Sequence, residues 1–242
     1  MIQLNLSPPA IEKFLPRQSG QDNEGVGYTR HGERYLLKTA ADVCVAEVLG
    51  SILCRACGIP VPEQVIVDFR GRLIFGSRLE SGVYLPKNNN DLMYMVEKCG
   101  NSTIFSAVLA IDLALGNNDR HWHNWLPQEQ DDGRILLRAV DFSRAWPTTH
   151  PVRPCESMRG SNTHLVWKEW KPLGVIFDPK SAFDVCDKIE GLSDIWLSDI
   201  FSQLPVEWMV SASGPELCQW WKVYWPDKVE EVRKFLKSGA WT

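Results

Sequence analysis

Asp119, Asn124 and Asp141 bring two carboxylates and an amide oxygen into one short run, LGNNDRHWHNWLPQEQDDGRILLRAVDFSRAW, residues 115–146. A carboxylate on a loop can accept the proton of a hydroxyl nucleophile, which is general-base chemistry. An amide oxygen and a second carboxylate are the hard donors that Mg²⁺ prefers. Phosphoryl transfer from ATP needs these parts: an aligned nucleophile, neutralised charge and a cation held against the phosphates. Asp119 is then the candidate base, and Asn124 and Asp141 the candidate metal ligands. Any one of the three, alone, reads equally well as a turn or helix cap. Their order is what points to chemistry. His121 and His123 lack further ligands at zinc spacing, so they and Arg120 are expected to brace the loop.

These residues need elements to position them. Ile104, Phe105, Val108, Leu109, Ile111, Leu113 and Leu115 predict an apolar helix ended by Gly116 and Asn117, so Asp119 emerges just past a rigid support. Trp125-Leu126 and the run Ile135 to Val140 flank Asp132-Gly133, a hairpin signal that folds Asp141 back toward Asp119 and Asn124. An aspartate, an asparagine five residues on, a turn, a strand and a second aspartate make the layout of a protein-kinase-type catalytic loop.

Upstream, Lys38 closes the strand YLLK and must meet a charge or reach solvent; it is the candidate to hold the α and β phosphates. Val45, Val48, Leu49, Ile52, Leu53 and Ala56 predict a helix over 41–57, with Asp42 as N-cap and Gly58 and Pro60 as its stop. Glu47 lies on its other face with Gly50 and Ser51, small enough for a strand to approach, and is the expected partner of Lys38. Gly20, Gly25 and Gly27 lie in a polar segment ahead of the Lys38 strand that could lay backbone N–H groups over phosphates, although neither GxGxxG nor a Walker pattern is present. Two short strands, 64–69 and 72–75, turn at Arg70-Gly71. The stretch 76–82, with Ser77 and Leu79, then reads as a connector: in a two-lobed phosphotransferase the hinge whose backbone would meet an adenine ring, and otherwise an ordinary loop. Met1 to Leu6 reads as a strand, followed by a Pro8-Pro9 turn and a helical patch. The expected fold is α+β: a small β-rich N-lobe over 1–80 and a larger, mainly helical C-lobe over 81–242. Helical periodicity recurs at 183–189, 197–204 and 229–236. Eight of the eleven tryptophans follow Trp146 without basic interleaving, which predicts core packing rather than base stacking.

Composition excludes other classes. A chain of 242 residues with 44% hydrophobic content is far from disordered. A net charge of −4 predicts no direct nucleic-acid binding through a broad basic surface. No apolar run is long enough for a membrane span, and the N-terminus lacks a signal-peptide pattern, so no membrane association is expected. Seven cysteines at irregular spacing predict reduced thiols in a cytoplasmic protein, with the one CxxC, Cys54 to Cys57, filling core.

The motifs NNDRHWHNW and AVDFS together resemble the HipA-like kinases, bacterial serine/threonine kinases. YLLK, AEVLGSILCRACGIPVP, FGSRL, IFSAVLAIDLALGNNDRH and LPVEWM resemble successive segments of short HipA-like proteins, over about residues 17 to 237. The resemblance implies a bilobal kinase fold that uses ATP and magnesium. It implies Asp119 as base, Asn124 and Asp141 on the metal, and Lys38 paired with Glu47. It also implies a protein substrate with a serine or threonine hydroxyl, and leaves room for a toxin role with an antitoxin or other regulatory partner. Some relatives phosphorylate a serine in their glycine-rich loop, for which Ser19 and Thr29 are the analogous positions. Phe142-Ser143 stands where many kinases carry Phe-Gly, so a mobile glycine switch is not expected. A phosphoinositide or small-molecule kinase and a catalytically silent binding module are the competing readings.

Overall fold

The computed structural model describes residues 8–16, 25–84, 86–239 and 241. The expected Met1–Leu6 strand, and Ser19 and Gly20, lie outside the described residues.

The chain is mixed α/β, with a small antiparallel sheet and a mainly helical remainder. Strands β1 (Lys13–Pro16), β2 (Gly25–Tyr28) and β3 (Arg34–Lys38) precede helix α1 (Ala41–Ala56), and β4 (Gln64–Phe69) and β5 (Arg72–Arg78) follow it. They form one sheet in the order β1-β2-β3-β5-β4. Alternation sends Tyr35, Leu37, Val65, Val67 and Ile74 to one face, where Ile11, Phe14 and Phe69 cover them. Phe75 and Ile66 point the other way, into the main core shared with α1.

Three local expectations change. The helical patch before Arg17 is instead β1, because pairing Lys13 with Tyr28 and Pro16 with Gly25 satisfies its backbone. Asp42 is not the N-cap: Ala40 holds that position, and the Asp42 carboxylate accepts from the N–H of Val43 at 2.9 Å. β5 runs on through Arg78, since Gly76 and Ser77 pair with β3 on one side and β4 on the other.

The helical part comprises α2 (Asn89–Glu97), α3 (Ile104–Leu115), the hairpin of β6 (Trp125–Glu129) and β7 (Ile135–Ala139), and then α4 (Asn162–Trp170), α5 (Pro179–Glu190), α6 (Asp194–Phe201), α7 (Val206–Ser211) and α8 (Gly214–Lys237). Every residue of α3 is buried, and Gly116 ends it in the left-handed region at φ 66°, as a Cβ-free residue can at little cost. α1 packs against β5 and also against α3, α5 and α7. One apolar core therefore runs from Val45 and Leu49 through α3 to Val229 and Phe235. The tryptophans belong to it: Trp221 and Trp225 stack at 3.7 Å, and their indole N–H groups donate to the carbonyls of Leu192 and Ile189. The segment beyond Asp141 is tied to α8, where buried Lys228 donates to the Arg153 carbonyl at 2.7 Å. Among the described residues no helix is long and apolar enough to cross a membrane.

Candidate active site

Lys38 ends β3, and its ammonium lies 3.3 Å from Glu47 Oε1 and 3.1 Å from Asp141 Oδ1. Glu47 reaches it from the second turn of α1, within a buried stretch, and its other oxygen accepts from the N–H of Phe142 at 3.1 Å. Gly50, one turn along α1, makes that approach possible. A Cβ there would sit 2.2 Å from Phe142 Cγ, so the small residue admits the Phe142 ring rather than a strand, as first expected. Asp141 takes φ 64°, a conformation that aspartate tolerates better than most residues. Its Oδ1 also accepts from the hydroxyl of Ser143 at 2.7 Å. The serine in place of glycine thus fastens the turn instead of loosening it.

Electrostatics follow from this crowding. Burial opposes the Lys38 charge, but Glu47 and Asp141 outweigh it and raise its pKa, so the ammonium persists. Burial pushes Glu47 up to about 7, only partly offset by Lys38 and reinforced by the charge of Asp141. Burial would raise Asp141 too, yet Lys38, the Ser143 hydroxyl and Arg120 hold it well below the usual carboxylate range. Asp141 is therefore an anion ready to meet a cation.

The hairpin register brings Asn124 beside Asp141. Trp125 pairs with Ala139, and the next N–H, that of Val140, donates to the Asn124 carbonyl at 3.1 Å. Arg120 clamps this open end by donating to the carbonyls of Asn124 and Val140. Its other nitrogens form a bidentate pair with Asp112 of α3 at 2.8 Å, fully buried, and Asn117 donates to the same carboxylate at 2.8 Å. Asn124 Nδ2 donates to the Asp119 carbonyl at 2.8 Å, fixing the amide so that its oxygen is the donor left for a cation. Among the described residues no three His, Cys, Asp or Glu side chains are arranged to hold a metal. The donor set of one amide and one anionic carboxylate fits Mg²⁺ that takes its remaining ligands from phosphates and water, and fits zinc poorly. His121 accepts from the N–H of His123 at 3.2 Å and caps the short 3₁₀ turn over 122–124.

Other expected site residues stand differently. Gly25 and Gly27 both lie in β2. At Gly27 a Cβ would come within 2.8 Å of Leu37 and 2.9 Å of Ile11, so packing by itself requires this glycine. Ser77 is buried within β5 with strands on both sides, which removes it from the connector. The connector begins at Leu79, whose N–H donates to the Arg34 carbonyl at 2.8 Å. Thr29 sits in the turn between β2 and β3, with its hydroxyl donating to Glu33 at 3.3 Å.

No protein-family profile matches the chain, and no curated protein matches it in sequence. Among solved structures, the Shewanella oneidensis MR-1 toxin–antitoxin system of HipA, HipB and its operator DNA aligns over 92% of this chain and 68% of the other, at TM-score 0.53 and 11% identity. The chain has a HipA-like kinase fold. The Helicobacter pylori proinflammatory kinase CtkA also aligns, over 93% of this chain and 97% of that one, at TM-score 0.45 and 13% identity.

Within this HipA-like fold, five residues contribute to the site in ways that the sequence alone does not assign. Asp112 had a signal, since a carboxylate inside IFSAVLAIDLAL must find a buried cation. Gly50 and Phe142 form a close contact between distant segments, and nothing local announces it. Asn162 and Thr163, in the first turn of α4, reach the loop that carries Asp119 and Arg120: Asn162 Nδ2 donates to Asp119 Oδ1 at 2.6 Å, and the Arg120 N–H donates to Thr163 Oγ1 at 2.9 Å.

Proposed function

We propose that the chain is an ATP-dependent serine/threonine protein kinase of HipA-like type. The observation that carries this reading is the contact of one buried lysine with Glu47 and Asp141, beside a loop on which Asn124 is bonded to Asp119. In this reading the sheet with α1, residues 1–80, and the helical part, residues 81–242, act as two lobes around a nucleotide. Lys38, held cationic by its two carboxylates, binds the α and β phosphates. Leu79 and its neighbours face the adenine. Asn124 and Asp141 hold Mg²⁺, which when bound neutralises charge on the β and γ phosphates. Asp119 takes the proton of a serine or threonine hydroxyl as that oxygen bonds to the γ-phosphorus and the bond to ADP breaks.

The solved HipA was crystallised with HipB and operator DNA, which supports a toxin or regulatory kinase with an antitoxin-like protein partner here.

The test is label transfer from ATP with Mg²⁺ to the chain itself and to casein. The parent is expected to transfer phosphate, and Asp119→Asn to lose it by at least about a hundredfold. Equal transfer by the two would reject Asp119 as base. Label entering phosphoinositide vesicles but no protein would make the chain a lipid kinase.

A further inference from the structure

We infer that Asn162 is a positioning residue that orients the Asp119 carboxylate for proton abstraction, an inference that rests on reading Asp119 as the base. Helix α4 is fixed independently of this contact. Its inner face carries Val166, Trp167 and Trp170, all buried, and Trp170 packs edge-on against Phe105 of α3 with ring centres 4.0 Å apart. Ser161 caps the helix, accepting from the N–H of His164 at 3.3 Å. The first turn that this packing delivers meets the catalytic loop at successive residues. Thr163 is buried, donates to the Asn117 carbonyl at 2.6 Å and accepts from Arg120 N–H at 2.9 Å. Thr163 is the structural brace.

Asn162 differs from Thr163 in kind. It is exposed, so water would satisfy its amide without this contact, and the bond adds little to folding. What it does is engage one carboxylate oxygen, Asp119 Oδ1, at 2.6 Å. Asn124 meanwhile holds the Asp119 main-chain carbonyl at 2.8 Å. With backbone and Oδ1 both fixed, Oδ2 is the oxygen turned to an incoming hydroxyl. That oxygen gains the proton as the nucleophile's O–P bond forms and the γ-phosphoryl bond to ADP breaks. Preorganising a reacting group this way acts on the transition state more than on nucleotide binding.

Two substitutions separate positioning from structure. Asn162→Ala removes the donor. Asn162→Asp keeps size and shape and suits the first turn of a helix, where a carboxylate meets the positive end of the dipole. Asn162→Ala decides between the roles: a bond that only braces the fold predicts a lower Tm with parental kcat, whereas a positioning role predicts a lower kcat with unchanged Tm, and Asn162→Asp, which sets an anion where a donor stood, is then the worse variant. Label transfer from ATP·Mg²⁺ to the chain and to casein is measured for the parent, both variants and Asp119→Asn, with ATP affinity and thermal unfolding alongside. The expected result is kcat lower by about tenfold in Asn162→Ala and about a hundredfold in Asn162→Asp, with ATP affinity and Tm unchanged. Parental kcat in Asn162→Ala overturns the inference while leaving the kinase reading intact. A parent no more active than Asp119→Asn overturns the kinase reading, and this inference with it.

Discussion

The N–H of Phe142 donates to Glu47 Oε2 at 3.1 Å, joining the residue after the candidate metal aspartate to a helix 95 positions earlier in the chain. The same carboxylate pairs with Lys38 through its other oxygen. Glu47 thus sets where both the lysine and the Asp141 turn lie. Glu47→Ala strands a buried N–H and leaves Lys38 with Asp141 alone. It is expected to lower stability by about 3 kcal/mol, read from the urea midpoint, and phosphate transfer by at least about tenfold.

Glu47 also makes stability depend on pH in a defined direction. Its pKa rises from 4.5 to about 7 on folding, so between these values the folded chain holds a proton that the unfolded chain has released. The contribution is complete below 4.5 and is lost as pH rises through about 7. Glu47→Gln does not titrate. The Tm of the parent is therefore expected to fall relative to that of Glu47→Gln between about pH 5 and about pH 8. A constant gap across this range would mean that Glu47 is ionised throughout.

Gly50 gives a test of sign. At an open helix position, glycine to alanine stabilises by about 1 kcal/mol. At Gly50 the new methyl would meet Phe142 Cγ at 2.2 Å, and the ring, buried under Arg120, has no room to yield. Gly50→Ala is expected to destabilise by about 1–3 kcal/mol and to reduce transfer by moving Asp141. Thermal unfolding of this one variant decides between the two.

The Asp112–Arg120 pair is buried on both sides, so removing one partner leaves an uncompensated charge. Arg120→Met is expected to cost about 3–5 kcal/mol. Adding Asp112→Leu should restore part of that loss, measured as a double-mutant cycle. Activity should not return with stability, because Arg120 also holds the carbonyls of Asn124 and Val140.

Thiol reactivity reports the same core. Burial raises Cys44 and Cys186 to about 12 and Cys57 and Cys155 to about 11, and it raises Cys54 strongly, so the thiolate fraction at neutral pH is suppressed at all five. Cys99 and Cys218 are only partly buried. Iodoacetamide followed by peptide mapping is expected to find these two modified first, and the others only in denaturant.

The sequence by itself determined what lies within a turn or two of chain. The apolar run ending at Gly116 predicts α3, and Asp132-Gly133 predicts the β6–β7 hairpin. Because hairpin register follows from its turn, local rules alone set Asn124 against Val140, the residue before Asp141. Only the tertiary structure decided the rest. Whether β5 stops at Phe75 or runs to Arg78 depends on strands available on both flanks. That packing requires glycine at 27 depends on Ile11 and Leu37 lying above it. Lys38 and Asp141 are 103 positions apart, Asn162 and Asp119 are 43 apart, and neither pair leaves a mark in any short window. Local propensity and periodicity report hydrogen bonds and burial along one element. Contacts between elements depend on how several apolar faces pack at once, and that packing is what delivers Glu47 to Lys38 and Asn162 to Asp119.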